Sequence, residues 1–244
     1  MNGKYLISLI LILGLLSCGT EETEAPTTPN VLYDIVGSVN LYNEGTLPLE
    51  KSGMLITVVG TDPIIFDETD NEGIYELQQV EKGTYTLSFE KSGFGVFKLY
   101  NVDHNSNEPT IITNSFSFGE KSTTSVSLLL ASVSQDTLIL NTTLDQNASI
   151  GNPRYVRVFF GTNSDLSHEK YDYYSPAYVK QINPFTIKYT SSDLIAMGFQ
   201  KGQKVYVNVA GDSFYANDYY DPDLERQIFP NLLWTDGGDN FIVP

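Results

Sequence analysis

Residues 69–94 read TDNEGIYELQQVEKGTYTLSFEKSGF, and this stretch decides the fold. Tyr85, Leu87 and Phe89 alternate with Thr86 and Ser88, the period-two pattern of a strand that lays one face on a core. Gly73, Gly83 and Gly93 fall ten residues apart, the spacing of turns between the strands of a meander. Residues 67–73 place acids before a glycine, as calcium loops do, but their spacing is not that of an EF-hand. They read instead as the turn between two strands.

Short strand signals continue on both sides, with no helical period between them. Upstream, Ile35-Val36-Gly37-Ser38-Val39 opens the unit, Asn43-Glu44-Gly45 turns, and residues 55–59 form a compact β-branched run. Residues 60–63 turn again before residues 64–66. Downstream, residues 96–102 continue the sheet, residues 104–114 form a polar loop, and residues 126–130 are expected to close the sheet. The ordered segments Gly37-Ser38-Val39, Val58-Val59-Gly60-Thr61, Thr69-Asp70-x-x-Gly73-x-Tyr75-x-Leu77 and Gly83-Thr84-Tyr85-Thr86-Leu87 resemble the carboxypeptidase regulatory-like domain, a transthyretin-like β-sandwich. The resemblance covers residues 33–103. It implies a structural or accessory module of the cell surface or of periplasmic transporter parts, and no catalytic residues. An unrelated sandwich with similar turns is the alternative.

Residues 134–244 form a second unit. Strand candidates are residues 136–143, 155–160, 185–189, 205–210 and 241–243, with Val156, Val158 and Phe160 on one face. Residues 191–198 carry a serine N-cap, Asp193 in the first turn and Gly198 at the C′ position, which predicts one short helix. The unit is similar to fibronectin type III and immunoglobulin-like domains, on length and strand number rather than on a motif. The expected class is all-β, with two tandem β-sandwiches at residues 32–131 and 132–244 after a signal peptide (1–17) and an acidic tether (18–31).

The N-terminus fixes the expected location. Residues 4–18, KYLISLILILGLLSC, place one lysine before an uncharged apolar run. That run is shorter than the roughly twenty residues of a membrane span and has the form of a secretory signal. Leu15-Leu16-Ser17-Cys18 resembles the lipobox of bacterial lipoproteins. The resemblance implies that Cys18, the only cysteine, becomes an acylated N-terminus held in the lipid bilayer. A plain cleaved signal and an uncleaved anchor are the alternatives. Residues 19–30, GTEETEAPTTPN, read as a tether. Glu21 and Glu22 resemble the surface-export signals of Bacteroidetes lipoproteins, against a simple solvated linker. The expected place is the outer membrane, on its periplasmic or cell-surface face.

A formal charge of −16 argues against nucleic acid and against an electrostatic grip on anionic lipid. It suits cations, neutral glycans or an envelope protein as partner. The two histidines, His104 and His168, lie in separate units, and no zinc spacing, P-loop or G-x-S-x-G motif occurs. Asp212, Asp218, Asp221 and Asp223 crowd one stretch with Glu225, the hard oxygen donors that calcium takes as a cofactor. A glycosidase pair would also need two acids, and a turn-rich polar loop accounts for the same residues. Nine of the sixteen tyrosines lie between Tyr171 and Tyr220. Tyr173, Tyr174, Tyr215, Tyr219, Tyr220 and Trp234 are the candidate ligand-binding aromatics, placed mostly in loops. The alternative is that these tyrosines are strand residues. The sequence therefore predicts a non-enzymatic binding or spacer module. The other readings are glycan or nutrient capture through the Tyr/Asp loops, and a calcium-dependent or hydrolytic site at residues 212–225.

Overall fold

The computed structural model describes residues 32–244, so the signal, Cys18 and the tether lie outside it. The described residues form one compact all-β unit with two principal cores. No helix among them is long and apolar enough to cross a membrane.

The first sandwich contains β1 (Tyr33–Tyr42), β2 (Leu55–Val58), β3 (Phe66–Glu68), β4 (Ile74–Val80), β5 (Gly83–Glu90), β6 (Phe97–His104), β7 (Thr110–Ile111) and β8 (Phe116–Gly119). One sheet runs β4-β1-β7, with β8 also paired to β1, and the other runs β3-β2-β5-β6. Alternation decides the faces: Tyr75 and Leu77 of β4 are buried, while Ile74 and Glu76, which alternate with them, are exposed. Tyr75, Leu77, Leu87, Phe89 and Phe118 meet in the core. The Tyr75 ring lies across Gly37 on β1, where a Cβ would stand 2.3 Å from its hydroxyl, so the G-x-V of the opening strand is a cross-strand fit.

The second sandwich contains β9 (Val126–Ser134), β10 (Thr137–Leu144), β11 (Arg154–Gly161), β12 (Tyr173–Tyr174), β13 (Tyr178–Lys180), β14 (Phe185–Thr190), β15 (Lys204–Asp212) and β18 (Asp239–Ile242). Its sheets are β14-β10-β9 and β12-β11-β15-β18, with β13 also on β11. Val156, Val158 and Phe160 point into the core between them, as their shared face predicts. A separate hairpin, β16 (Tyr219–Asp221) and β17 (Arg226–Ile228), leaves this sandwich and contacts β6 of the first.

Two expectations are corrected. Residues 126–130 do not close the first sheet. They begin β9, which pairs with β10 from Ser134↔Thr137 to Val126↔Leu144 and places Leu129 in the second core. The tight turn at Gln135 (φ 57°) makes that pairing local, and a local hairpin is favoured over a long-range closure. The first sandwich is closed instead by β8, parallel to β1. Strand pairing thus changes sandwich within residues 120–125, not at residue 131. The short helix α1 (Ser191–Ala196) is capped by Thr190 rather than by a serine, in a capping box with Asp193. Gly198 follows it with φ 101°.

Candidate functional site

Residues 211–239 carry most of the predicted site. They run from the end of β15 across the first sandwich and back over the outer face of the β12-β11-β15-β18 sheet. The structure divides them into a closed part and an open part.

The closed part is a polar junction between the sandwiches. Asn231 is fully buried. Its Nδ2 donates to the carbonyls of Gly119 and Tyr215, both at 2.9 Å, and its Oδ1 accepts from the Gly95 amide at 2.9 Å. Asn217 accepts from the Gly119 amide at 2.9 Å and donates to the Gly119 carbonyl at 3.0 Å and to Asn231 Oδ1 at 3.1 Å. Two side chains of the second sandwich therefore satisfy backbone groups of the first, where no ladder partner exists. Only glycine allows this approach: a Cβ at Gly119 would lie 2.5 Å from the Tyr215 carbonyl oxygen. Across the same junction the Ser213 hydroxyl donates to the Glu120 carbonyl, and the Phe214 amide donates to the Glu44 carbonyl.

Two acids hold this junction in opposite ways. Glu44 accepts from the hydroxyls of Ser122, Thr123 and Thr124 at 2.6–2.8 Å, with Arg154 at 3.5 Å. Burial pushes its carboxyl up, but the three hydroxyls together hold it below its ordinary range. Asp212 is fully buried and pairs with Arg157 Nε at 2.7 Å. Burial pushes its carboxyl up to about 6, against the pull of Arg157. The Arg157 guanidinium also donates to the Ser175 carbonyl and lies 4.6 Å from the Phe229 ring centre.

The four candidate calcium ligands do not converge. Asp212 faces Arg157, Asp218 accepts from Gln227 Nε2, and Asp221 accepts from the Tyr100 hydroxyl at 2.7 Å. Asp221 also caps the amides of Asp223 and Leu224, the turn chemistry that accounts for an acid-rich hairpin. Asp223 itself is exposed on that turn. No group of three or more His, Cys, Asp or Glu among the described residues is placed to hold a metal ion.

The six candidate aromatics are likewise dispersed. Tyr215 stacks on Tyr42 at 4.3 Å and Tyr219 meets Phe97 edge-on at 5.6 Å, so Tyr219 and the segment leading into its hairpin are both held to the first sandwich. Tyr219 and Tyr220 form a strand, not a loop, and Tyr220 is the exposed member. Tyr173 packs on the second core. Tyr174 and Trp234 join Phe159, Phe229 and Tyr171 in a third apolar cluster, on the side of β11 opposite Val158 and Phe160.

The open part begins at Trp234. The outer face of β15 carries Tyr206, Asn208, Ala210 and Asp212 in alternation. Phe229 and Arg157 seal the Asp212 end. At the Tyr206 end, Trp234 forms one wall of a cleft of about 210 Å³ with Ser164, Leu166, Tyr206, Asn208 and Asp236. The indole packs edge-on against Phe159 at 5.3 Å, and the His168 ring lies 5.9 Å from it. Asn208 Nδ2 donates to the Thr235 carbonyl at 3.0 Å. Asp239 accepts from the Ala131 amide at 2.7 Å. These two bonds fix the loop that carries Asp236. Among the described residues, Ser164 Oγ, Tyr206 Oη and the Asp236 carboxylate have no hydrogen-bond or ion-pair partner. Of this site the sequence reading found Trp234 alone. Ser164, Tyr206 and Asp236 come from three separate elements, and the one local signal was Asp236-Gly237-Gly238, a turn beside the only tryptophan.

No protein-family profile matches the chain, and no curated protein matches it. Among solved structures, a proposed carbohydrate binding protein from Bacteroides uniformis is 14% identical over 86% of this chain and 98% of its own, with a TM-score of 0.30. A DUF3823 family protein from Parabacteroides merdae is 10% identical over 77% of this chain and 94% of its own, with a TM-score of 0.30. A type II cohesin–X-dockerin complex from Acetivibrio cellulolyticus is 19% identical over 37% of this chain and 59% of its own, with a TM-score of 0.31.

Proposed function

We propose that the protein is a lipid-anchored, non-enzymatic module of the bacterial envelope, whose two sandwiches act as one rigid body. The observation that carries the rigid-body reading is the Asn217–Asn231 junction, where side chains of one sandwich satisfy buried backbone of the other. A flexible spacer would join its domains through solvated contacts. This junction is buried and dense in hydrogen bonds, so sliding or opening it would strip several groups of their partners at once. Cys18 supplies the anchor, on the strength of the lipobox-like residues 15–18.

Hydrogen exchange during denaturant unfolding tests the rigid body. Amides of Ile35 and Leu87 in one core and of Val158 and Val207 in the other should lose protection in one coincident transition. Two separate transitions would overturn it. The anchor is tested by metabolic labelling with a palmitate analogue. Label should enter the wild-type chain and be absent from Cys18→Ala, and label retained by that variant would refute acylation at this residue.

A second reading, capture of a glycan or small nutrient, is favoured by the cleft beside Trp234. Of the Tyr/Asp loop residues, Tyr215, Tyr219 and Asp221 are taken up by contacts with the first sandwich. The cleft keeps an aromatic wall and three unpartnered polar groups open to solvent.

A further inference from the structure

We propose that the Trp234 cleft takes a single neutral sugar ring and disfavours anionic sugars, an inference that rests on the capture reading. Size sets the first limit. At about 210 Å³ the cleft is smaller than the roughly 300–1,000 Å³ of pockets that enclose drug-sized ligands, so it suits one ring of a longer glycan. Chemistry sets the second. Trp234, Leu166 and the Tyr206 ring offer apolar surface for the C–H face of a sugar. Ser164 Oγ and Tyr206 Oη can donate or accept, and the Asp236 carboxylate accepts only, which matches ring hydroxyls that donate to it.

Charge sets the third limit. Asp236 and Asp239 line the cleft, and none of its lining residues is Lys, Arg or His. One ammonium flanks the cleft, Lys204 Nζ at 5.0 Å from the centre of the Tyr206 ring, and the neutral-or-charged imidazole of His168 lies 5.9 Å from the Trp234 ring. The whole chain carries −16. A uronate placed against Asp236 meets like charge, which weakens its binding relative to a neutral ring.

Trp234 is the only tryptophan, so its fluorescence reports this site alone. The purified protein is titrated with neutral trisaccharides of glucose, mannose, xylose and N-acetylglucosamine, with trigalacturonate, and with a glucosamine trimer. We expect a saturable change with at least one neutral sugar and about tenfold weaker binding of trigalacturonate. Asp236→Lys should erase or reverse that preference, and because Asp236 is exposed the variant should stay folded. Silence with every neutral sugar overturns the capture reading itself. Equal binding of trigalacturonate, or tighter binding of the glucosamine trimer, overturns neutral-sugar selectivity while leaving capture in place. An unchanged preference in Asp236→Lys removes Asp236 from the site.

Discussion

Residues 212–231 and residues 234–239 are drawn from the same palette of aromatics, acids and amides, and the structure uses them in opposite ways. In the first stretch several polar side chains have partners in the other sandwich: Asn231 with Gly95 and Gly119, Asp221 with Tyr100, Ser213 with Glu120. In the second, Asn208 and Asp239 fix the loop, and Asp236 is left facing solvent beside Trp234. Residue type does not separate a junction from a site. The difference lies in whether the partner is already in the chain.

The sharpest way to break this comparison is Asn231→Ala. The substitution strips partners from the Gly95 amide and from the Gly119 and Tyr215 carbonyls in a buried place, at about 1–3 kcal/mol for each group left unsatisfied. Asn217 still reaches the Gly119 carbonyl, so the expected loss is about 3–5 kcal/mol of unfolding free energy in urea. A loss under about 1 kcal/mol would mean that water replaces the amide and that the junction is not closed.

The same contrast explains what could be read from the chain alone. Strands that alternate over a core, such as β4 and β14, were legible because period two is a local property. The strand β8 was not, because four residues paired in parallel to a strand more than seventy positions away leave no local signature. The expected closure by residues 126–130 failed for a related reason, since the turn at Gln135 decides their partner. Trp234 was legible as the only tryptophan of the sequence, close after the Tyr-rich stretch. The fate of Tyr215 and Tyr219 was not, because nothing in their neighbourhood in sequence names Tyr42 or Phe97 as partner.

Acid titration tests the junction from within. The Asp212 carboxyl, raised by burial to about 6 in the fold, binds protons more tightly folded than in the unfolded chain, where aspartate titrates near ~3.9. Its stabilising contribution is therefore present in full below that unfolded value and is lost as pH rises through about 6. Glu44 has the opposite sense: its folded carboxyl is lowered, so its contribution is present above the unfolded value and disappears as pH falls through the folded one. From pH 4 to 7, wild type should lose about 2 kcal/mol relative to Asp212→Asn, at ~1.36 kcal/mol for each pH unit that separates the folded from the unfolded titration. Relative to Glu44→Gln, wild type should gain over the lower part of that range. Denaturant midpoints at several pH values would show it. Parallel curves for wild type and Asp212→Asn would mean that Arg157 fully offsets the burial of Asp212.

The smallest expected effect on stability is the most telling about function. Asp236→Asn changes one exposed group that has no hydrogen-bond or ion-pair partner among the described residues, so the unfolding free energy should stay within about 0.5 kcal/mol of wild type. The junction acids cannot behave this way, because Asp212 and Glu44 each hold several donors. If the open stretch binds a hydroxyl-rich ligand, the same variant should weaken neutral-sugar binding by about three- to tenfold, the worth of one charge-assisted hydrogen bond reduced to a neutral one. Stability unchanged and binding weakened would separate a site from a junction at a single residue. A stability loss as large as that of Asn231→Ala would instead make Asp236 a structural acid and erase the contrast between the two stretches.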